Sequence, residues 1–523
     1  MRLRLIPTLF SLVLALPILG IFTALLNPQA GSAEVLSHLF HTVLPSYAFT
    51  TLMMAIGVAI GVASMGVICA WLVATCDFPG KRIYEWALIL PLAMPAYVMA
   101  YAYTDFLQFS GPVQSFLRDW LGVSKLAWFP DPRSIWGAIC VLSLALYPYV
   151  YLLCRTAFLE RSPRLIDAAR TLGSSPWGAF WKVALPMARP ATMAGVALAL
   201  MEAVADYGAM SYFGVQTMTT GIYRAWLGMG DRIAAVQLSA VLLGVIFLLL
   251  MLEHVSRRQM RFAASGQRFR QIKPWRLQGK KAFWASMACA MPMLFGFVLP
   301  VAIMAYLALS NGDGFQPRYW GWLVNTLWLS TLTAMCAVIL AVWLAYSALI
   351  TKGIWQTMAN RMVSLGYAVP GAVLAVGILI LLAQLDIAWL LSGSVVILVY
   401  AYLTRFLSSG LQTVEAGLSK ITPSMDASAM SLGSGRWELL RRIHLPLLRR
   451  SLLTAGLLVF VDVMKELPAT LVLRPFNFDT LAVVTYQLAA DERLAEAAWP
   501  ALTIVLAGLI PVILLSRAMS RDK

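Results

Sequence analysis

Twelve mostly apolar stretches, each close to the ~20 residues a helix needs to cross a bilayer, dictate what this chain can fold into. They lie near 6–26, 47–75, 84–105, 134–154, 190–212, 233–254, 284–309, 320–350, 362–382, 387–404, 451–473 and 497–516. In hydrocarbon every backbone N–H and C=O must be satisfied within the protein, so apolar runs of this length become helices. The expected fold class is an all-α integral membrane protein with about 12 transmembrane helices. Only 12% of the 523 residues are charged, about half the ~25% of soluble domains, which excludes a water-soluble multidomain enzyme. The six cysteines include no CxxC pair, so neither a disulfide framework nor a structural zinc site is indicated.

An even number of spans puts both termini on one side. With both termini cytoplasmic, cytoplasmic segments hold 31 of the 40 Lys and Arg residues, external segments hold 8, and Lys465 falls within a span. That asymmetry is the positive-inside pattern. The net charge of +16 is therefore a topology signal, and no nucleic-acid partner is expected. Met1-Arg2-Leu3-Arg4 and the later Gly31-Ser32-Ala33 imitate a signal peptide. The run from Ile6 to Leu26 is longer than a usual signal core, which favours a retained first span with the same direction.

The chain also repeats itself. Pro163, Gly173, Trp177 and Pro186 recur at Pro423, Gly433, Trp437 and Pro446, each 260 residues later. Two tandem six-helix halves are expected, 1–254 and 284–523, related by an axis along the membrane normal. The basic segment 255–283, with nine Lys and Arg residues, reads as a solvated cytoplasmic linker with a weak affinity for anionic lipid headgroups.

The matched landmarks lie in cytoplasmic loops 155–189 and 405–450. Residues 163–172 and 423–432 are rich in helix formers, and a glycine then permits a sharp turn. A second short helix is expected before Pro186 or Pro446 opens the next span. Such a knob is either a grip for another protein or an amphipathic hairpin supporting the bundle. The run Asp167-Ala168-Ala169, Gly173, Val183-Ala184-Leu185-Pro186 resembles the EAA loop of permease subunits in binding-protein-dependent ABC importers. Ala427-Ser428-Ala429, Gly433 and Ile443-His444-Leu445-Pro446 repeat it, with Ala427 at the acidic position and Asp426 one place early. The resemblance implies the type I importer permease fold in the bacterial inner membrane. It also implies a periplasmic substrate-binding protein and two ATP-binding subunits, gripping Asp167, Ala168, Ala169, Gly173, Trp177, Leu185 and Pro186 on one loop and Ala427, Gly433, Trp437, Leu445 and Pro446 on the other. The sequence holds no G-x-x-x-x-G-K-[ST] loop, so ATP and magnesium are expected on the partner and no cofactor or catalytic residue on this chain.

Ionisable groups inside spans are costly and read as functional by default. Glu202 and Asp206 in the fifth span, and Asp462 and Glu466 in the eleventh, are spaced i, i+4 and again repeat at 260 residues. That spacing predicts one helix face per pair, the two faces opposed across the pseudo-twofold axis. At ~1.5 Å per residue from Pro190, Asp206 is expected about 24 Å along its helix, in the outer half of the bilayer. The four acids either line a translocation pathway or secure helix ends, with Lys465 neutralising a neighbour.

Ala205-Asp206-Tyr207-Gly208, Lys465-Glu466-Leu467-Pro468, Leu473-Arg474-Pro475-Phe476 and Tyr147-Pro148-Tyr149-Val150-Tyr151 look like the ferric-iron branch of these permeases. Carboxylates and phenols are hard oxygen ligands suited to a hard trivalent cation. Tyr147 and Tyr149 then join the pathway, with Asp206 and Glu466 as transient metal contacts. The alternatives are a thiamine or other small-cation permease, since fused halves also occur there, and a secondary active transporter, which supplies no reason for two matched inner loops. His38 and His41 are spaced for a metal, but Val35, Leu36, Leu39 and Phe40 between and beside them read first as an amphipathic surface helix.

Overall fold

The computed structural model describes residues 2–26, 32–161, 169, 171–263, 274–310, 317–351, 354–385, 393–418, 421, 423–433 and 435–521. Pro163, Asp167, Ala168, the middle of the linker and the start of the expected tenth span lie outside the described residues. Almost everything described is helical, apart from a two-residue parallel pairing of Cys76–Asp77 with Trp275–Arg276.

Among the described residues, nine helices are long and apolar enough to cross a bilayer, and two further helix pairs are bent. The twelve expected spans are thus corrected at four places. Lys81–Ala93 turns by 92° into Ala96–Leu121, and Met358–Ala368 turns by 116° into Gly371–Gln384. Both bends fall at a residue preceding proline: Met94 (ψ 120°) before Pro95, Val369 (ψ 123°) before Pro370. The proline ring drives its predecessor out of the α region, so an apolar run readable as one helix becomes two. The expected eleventh span ends early, as the helix Leu445–Met464, and Arg449, Arg450 and Asp462 keep it below the apolar threshold of the others. The expected tenth span, 387–404, is displaced: the helix runs Val395–Leu418, so Arg405 is a mid-helix residue and not the first residue of a loop.

The chain forms two compact units. One gathers 1–32 with 315–484. Its core is a trio of helices, Pro317–Thr351, Val395–Leu418 and Leu445–Met464, against which Arg2–Leu26 and the bent pair pack. Gly377 brings its helix against the Pro17 carbonyl, and Phe10 meets Trp343 edge-on at 5.6 Å. The other unit gathers 33–314 with 485–521. Its trio is Leu44–Thr75, Ile135–Arg161 and Leu185–Ala205, with Arg232–Ala263 alongside, and Leu494–Arg521 packs on Leu299–Ser310.

Close approach in this second trio rests on glycine, as expected where lipid supplies no hydrophobic drive between helices. Val150 sits between Gly66 and Gly195; a Cβ on Gly195 would come within 2.7 Å of the Val150 Cα, which is backbone and cannot rotate away. Gly195→Val should therefore separate two helices and lower stability by about 1–3 kcal/mol. Gly244→Ala, where nothing lies within 4 Å, should be neutral or raise stability by roughly 0.5–1 kcal/mol. Thermal unfolding of the two variants in detergent checks this, and equal melting temperatures would refute the close-packing account.

Candidate functional site

From the glycine turn onward, the described residues of the two expected loops form the same elements in the same order, 260 residues apart. In the unit of 33–314, a turn leads to the short helix Pro176–Ala179, a wide π-helical turn Phe180–Ala184 and then Leu185–Ala205. In the other, Arg436–Leu439, a π-helical turn Leu440–His444 and Leu445–Met464 follow in the same order. Gly173 and Gly433 occupy the left-handed region at φ 81° and 88°. Only glycine does so without strain, and nothing stands within 4 Å of either Cβ position, so the requirement is conformational. Ala169 is buried and its carbonyl accepts the Ser174 N–H at 2.9 Å. Ser175 caps the next helix, accepting from the Gly178 N–H at 3.1 Å.

The expected second short helix does not end at Pro186. It runs straight into the span, so that Trp177–Ala205 is one helix of 29 residues, about 43 Å long at ~1.5 Å per residue. Proline has no N–H to give its i−4 carbonyl. A π-helical turn just ahead widens the backbone and takes up that mismatch without a break. Leu185 and Pro186 are half-buried there, and Leu445 and Pro446 stand at the matching positions. Trp177 stacks on Phe180 at 5.2 Å and Trp437 stands exposed.

Two features of these loops were missed. Leu172 and Leu432, just before the glycines, are each 86% exposed. They are a matched apolar pair that the 260-residue offset alone could have revealed. In the second loop Ala427 is exposed, and the carboxylate of Asp426, one position earlier, meets the buried His444 at 2.9 Å. That bond ties the loop helix Pro423–Ser431 to the π-helical turn. The first loop has Ala184 at the place of His444.

The four acids of the spans sit where the helices stop. The helix Leu185–Ala205 ends just before Asp206, whose carboxylate accepts the Ala209 N–H at 2.8 Å and starts the next short helix. Met464 ends its helix likewise, and Glu466 accepts the N–H groups of Ala469 at 2.9 Å and Thr470 at 3.0 Å. The expected single helix face for each pair therefore does not exist, because only Glu202 and Asp462 are still helical. An acidic side chain three residues before a free N–H competes for it and ends the helix there. Asp462 pairs with Lys465 at 3.0 Å, and Glu202 is half-buried.

Glu466 has a further partner that the sequence reading placed outside the membrane. Arg405 donates to its Oε1 at 3.1 Å, and the two side chains are 9% and 1% exposed. In the other unit Ala145 stands at the position 260 residues before Arg405. Tyr147 is fully buried, with Cys69, Tyr151 and Cys289 as its titratable neighbours, and Tyr149, two residues on, is half-buried. His38 faces a cavity of about 360 Å³ that Glu34, Arg224 and Asp231 also line. Among the described residues no group of three His, Cys, Asp or Glu side chains is placed to hold a metal.

Residues 63–261 match the family of binding-protein-dependent transport system inner membrane components. The chain is 26% identical over 525 residues to the Fe(3+)-transport system permease protein FbpB 2 of Haemophilus influenzae, covering 98% of both chains. It is 24% identical over 428 residues to the ferric transport system permease protein FbpB of Actinobacillus pleuropneumoniae, covering 78% of this chain and 60% of that one. Over 149 residues it is 30% identical to the molybdenum transport system permease protein ModB of Escherichia coli, 28% of this chain and 62% of that one. With its two matched loops, its helical spans and a permease relative aligned over 98% of both chains, the chain is similar throughout its length to inner-membrane permease components of binding-protein-dependent transport systems.

Proposed function

We propose that this permease carries ferric iron from a periplasmic binding protein to the cytoplasm by alternating access, driven by two ATP-binding subunits seated on loops 155–189 and 405–450. The observation that carries the reading is the pair of identical glycine turns, each continuous with a helix that ends at a carboxylate. A push on Trp177 is transmitted through one uninterrupted helix to the break at Asp206. The matching helix runs from the Gly433 loop to the break before Glu466. A stiff element linking a docking surface to a break in a span is what coupling two sites requires physically.

Non-helical backbone at membrane depth is tolerated where protein buries it or where it lines a cavity. That supports Asp206 and Glu466, each within its own unit, as pathway positions, together with Glu202, Asp462, Tyr147 and Tyr149. Both termini and the linker 255–283 face the cytoplasm in this reading, supported by the 31 basic residues on that side. The halves 1–254 and 284–523 are the functional repeats. ATP and magnesium reside on the partner subunits, and this chain binds no cofactor of its own. Iron is favoured as cargo because the relatives aligned with most of the chain are named as Fe(3+) and ferric permeases.

Proteoliposomes containing the permease and its ATP-binding subunits, loaded with ATP and given the binding protein outside, should accumulate radioactive iron. Native mass spectrometry of the same complex should show two ATP-binding subunits per chain. Uptake of thiamine without iron would overturn the substrate, and one ATP-binding subunit per chain would overturn the coupling scheme.

A further inference from the structure

The unit of 33–314 and 485–521 contains a cluster of phenols around Asp206 that the acid-based reading of the pathway does not use. Tyr207 and Tyr486 join their hydroxyls at 3.2 Å, and Tyr486 also bonds the Ser211 hydroxyl at 2.9 Å. Tyr207 is held in place by stacking on Tyr223, ring centroids 3.8 Å apart. Tyr101 packs its ring 4.5 Å from that of Tyr212 and 5.7 Å from that of Tyr97, and Tyr486 and Asp206 are among its titratable neighbours. It is 1% exposed, and among the described residues its hydroxyl has no hydrogen-bond partner. Leaving a buried hydroxyl unpaired costs about 1–3 kcal/mol, which a chain built only for stability avoids by using phenylalanine.

At the equivalent break of the other unit there is one buried phenol, Tyr402, and its hydroxyl is already bonded to the Thr470 hydroxyl at 2.7 Å. Leu467 follows Glu466 where Tyr207 follows Asp206, and Leu471 stands for Ser211. Glu466 is fully engaged, by Arg405, by two backbone N–H groups and by the Thr470 hydroxyl at 2.6 Å. A cation arriving there meets a carboxylate already neutralised by a guanidinium. The charged groups nearest the phenols are Asp206, Asp105 and Arg133, and Arg133 is paired with Glu492 at 3.4 Å.

We propose that the permease holds a transient site for a hard trivalent cation in this unit alone, formed by Tyr101, Tyr207, Tyr486 and Asp206, so that the two fused halves play unequal parts in translocation. The inference rests on the ferric reading above and gives it an address. Phenolate and carboxylate oxygens are hard donors, and a bound cation is the largest local charge, favouring the deprotonated form of each ligand. For each phenol that binds, one O–H bond breaks and one Fe–O bond forms. Each new Fe–O bond replaces one to water or citrate, the proton leaves to water or to the released citrate, Asp206 stays ionised as a ligand, and the iron stays ferric throughout. Departure toward the cytoplasm reverses these steps, the phenols regaining their protons.

The test uses the full permease with its ATP-binding subunits in lipid, with ferric citrate as the probe. Ferric phenolates absorb visible light by charge transfer, so wild-type protein should develop a visible band that Tyr101→Phe and Tyr486→Phe weaken and Tyr402→Phe, in the other unit, leaves intact. Initial iron uptake should fall roughly tenfold in Tyr101→Phe, equivalent to about 1.4 kcal/mol. Its melting temperature should be equal or higher, since the hydroxyl removed has no partner, whereas a purely structural role would lower it. Wild-type uptake and an unchanged band in Tyr101→Phe would overturn the site, as would the absence of any band in wild-type protein that transports iron. Failure of wild-type protein to transport iron at all would instead overturn the ferric reading itself.

Discussion

Arg405→Ala should be among the most destabilising single substitutions in the chain, lowering stability by about 3–5 kcal/mol, because it leaves Glu466 as a buried charge without its counter-ion. Domains are commonly stable by only about 5–15 kcal/mol, so a loss of that size threatens folding altogether. The Glu466 carboxylate is 1% exposed. Its bonds to Ala469, Thr470 and the Thr470 hydroxyl remain after the substitution, but dipoles do not replace a full positive charge. Removing both charges is a different experiment. Arg405→Met combined with Glu466→Gln should recover part of the loss, since no ion remains to be desolvated, although the single amide oxygen accepts from one of the two N–H groups and its NH2 faces the other. Lys465→Ala, which breaks a pair whose lysine is 32% exposed, should cost no more than about 1 kcal/mol. Thermal unfolding in detergent, followed by size exclusion, ranks the three. An Arg405→Ala melting temperature equal to that of wild type would show that the pair does not hold this unit together.

Loss of the ATP-binding subunits should follow from Leu172→Asp and Leu432→Asp together, with no change in the fold of the permease. Both leucines are 86% exposed, so replacing them removes little internal packing. Placed in a partner's groove, an apolar anchor is worth about 2 kcal/mol or more, and its loss weakens binding about thirtyfold per loop. Two loops that act together multiply, so the double variant should fail to co-purify with its partner while melting as wild type does. Retention of both ATP-binding subunits by the double variant would remove the docking assignment. Gly173→Val and Gly433→Val address the same loops through the backbone, each forcing a β-branched residue into the left-handed region. The second should be the milder, because the bond between Asp426 and His444 holds that loop helix to its neighbour whatever the turn does.

The lipid-spanning helices, the repeat at 260 residues and the two glycine turns were legible in the sequence, for a physical reason common to all three. Length of an apolar run, recurrence at a fixed offset and a residue without Cβ are local properties, and in a bilayer local properties suffice to decide helix or no helix. The positions of the acids were equally plain. Their surroundings were not, because i, i+4 spacing places two carboxylates on one face only while the helix continues. Asp206 and Glu466 instead take up free N–H groups three residues ahead and stop it.

Contacts between residues far apart in the chain were decided by the tertiary structure alone. Arg405 and Glu466 are 61 residues apart, and hydropathy gives no sign that an arginine at the edge of an apolar run turns inward to a carboxylate instead of outward to water. Tyr207 and Tyr486, 279 residues apart, join their hydroxyls in one compact unit. The first helix, Arg2–Leu26, packs on Gly371–Gln384, far along the chain. Lipid tails are as apolar as leucine, so hydrophobicity cannot choose partners between spans. Shape, small residues and buried polar pairs make that choice, and these take effect only once the helices have met.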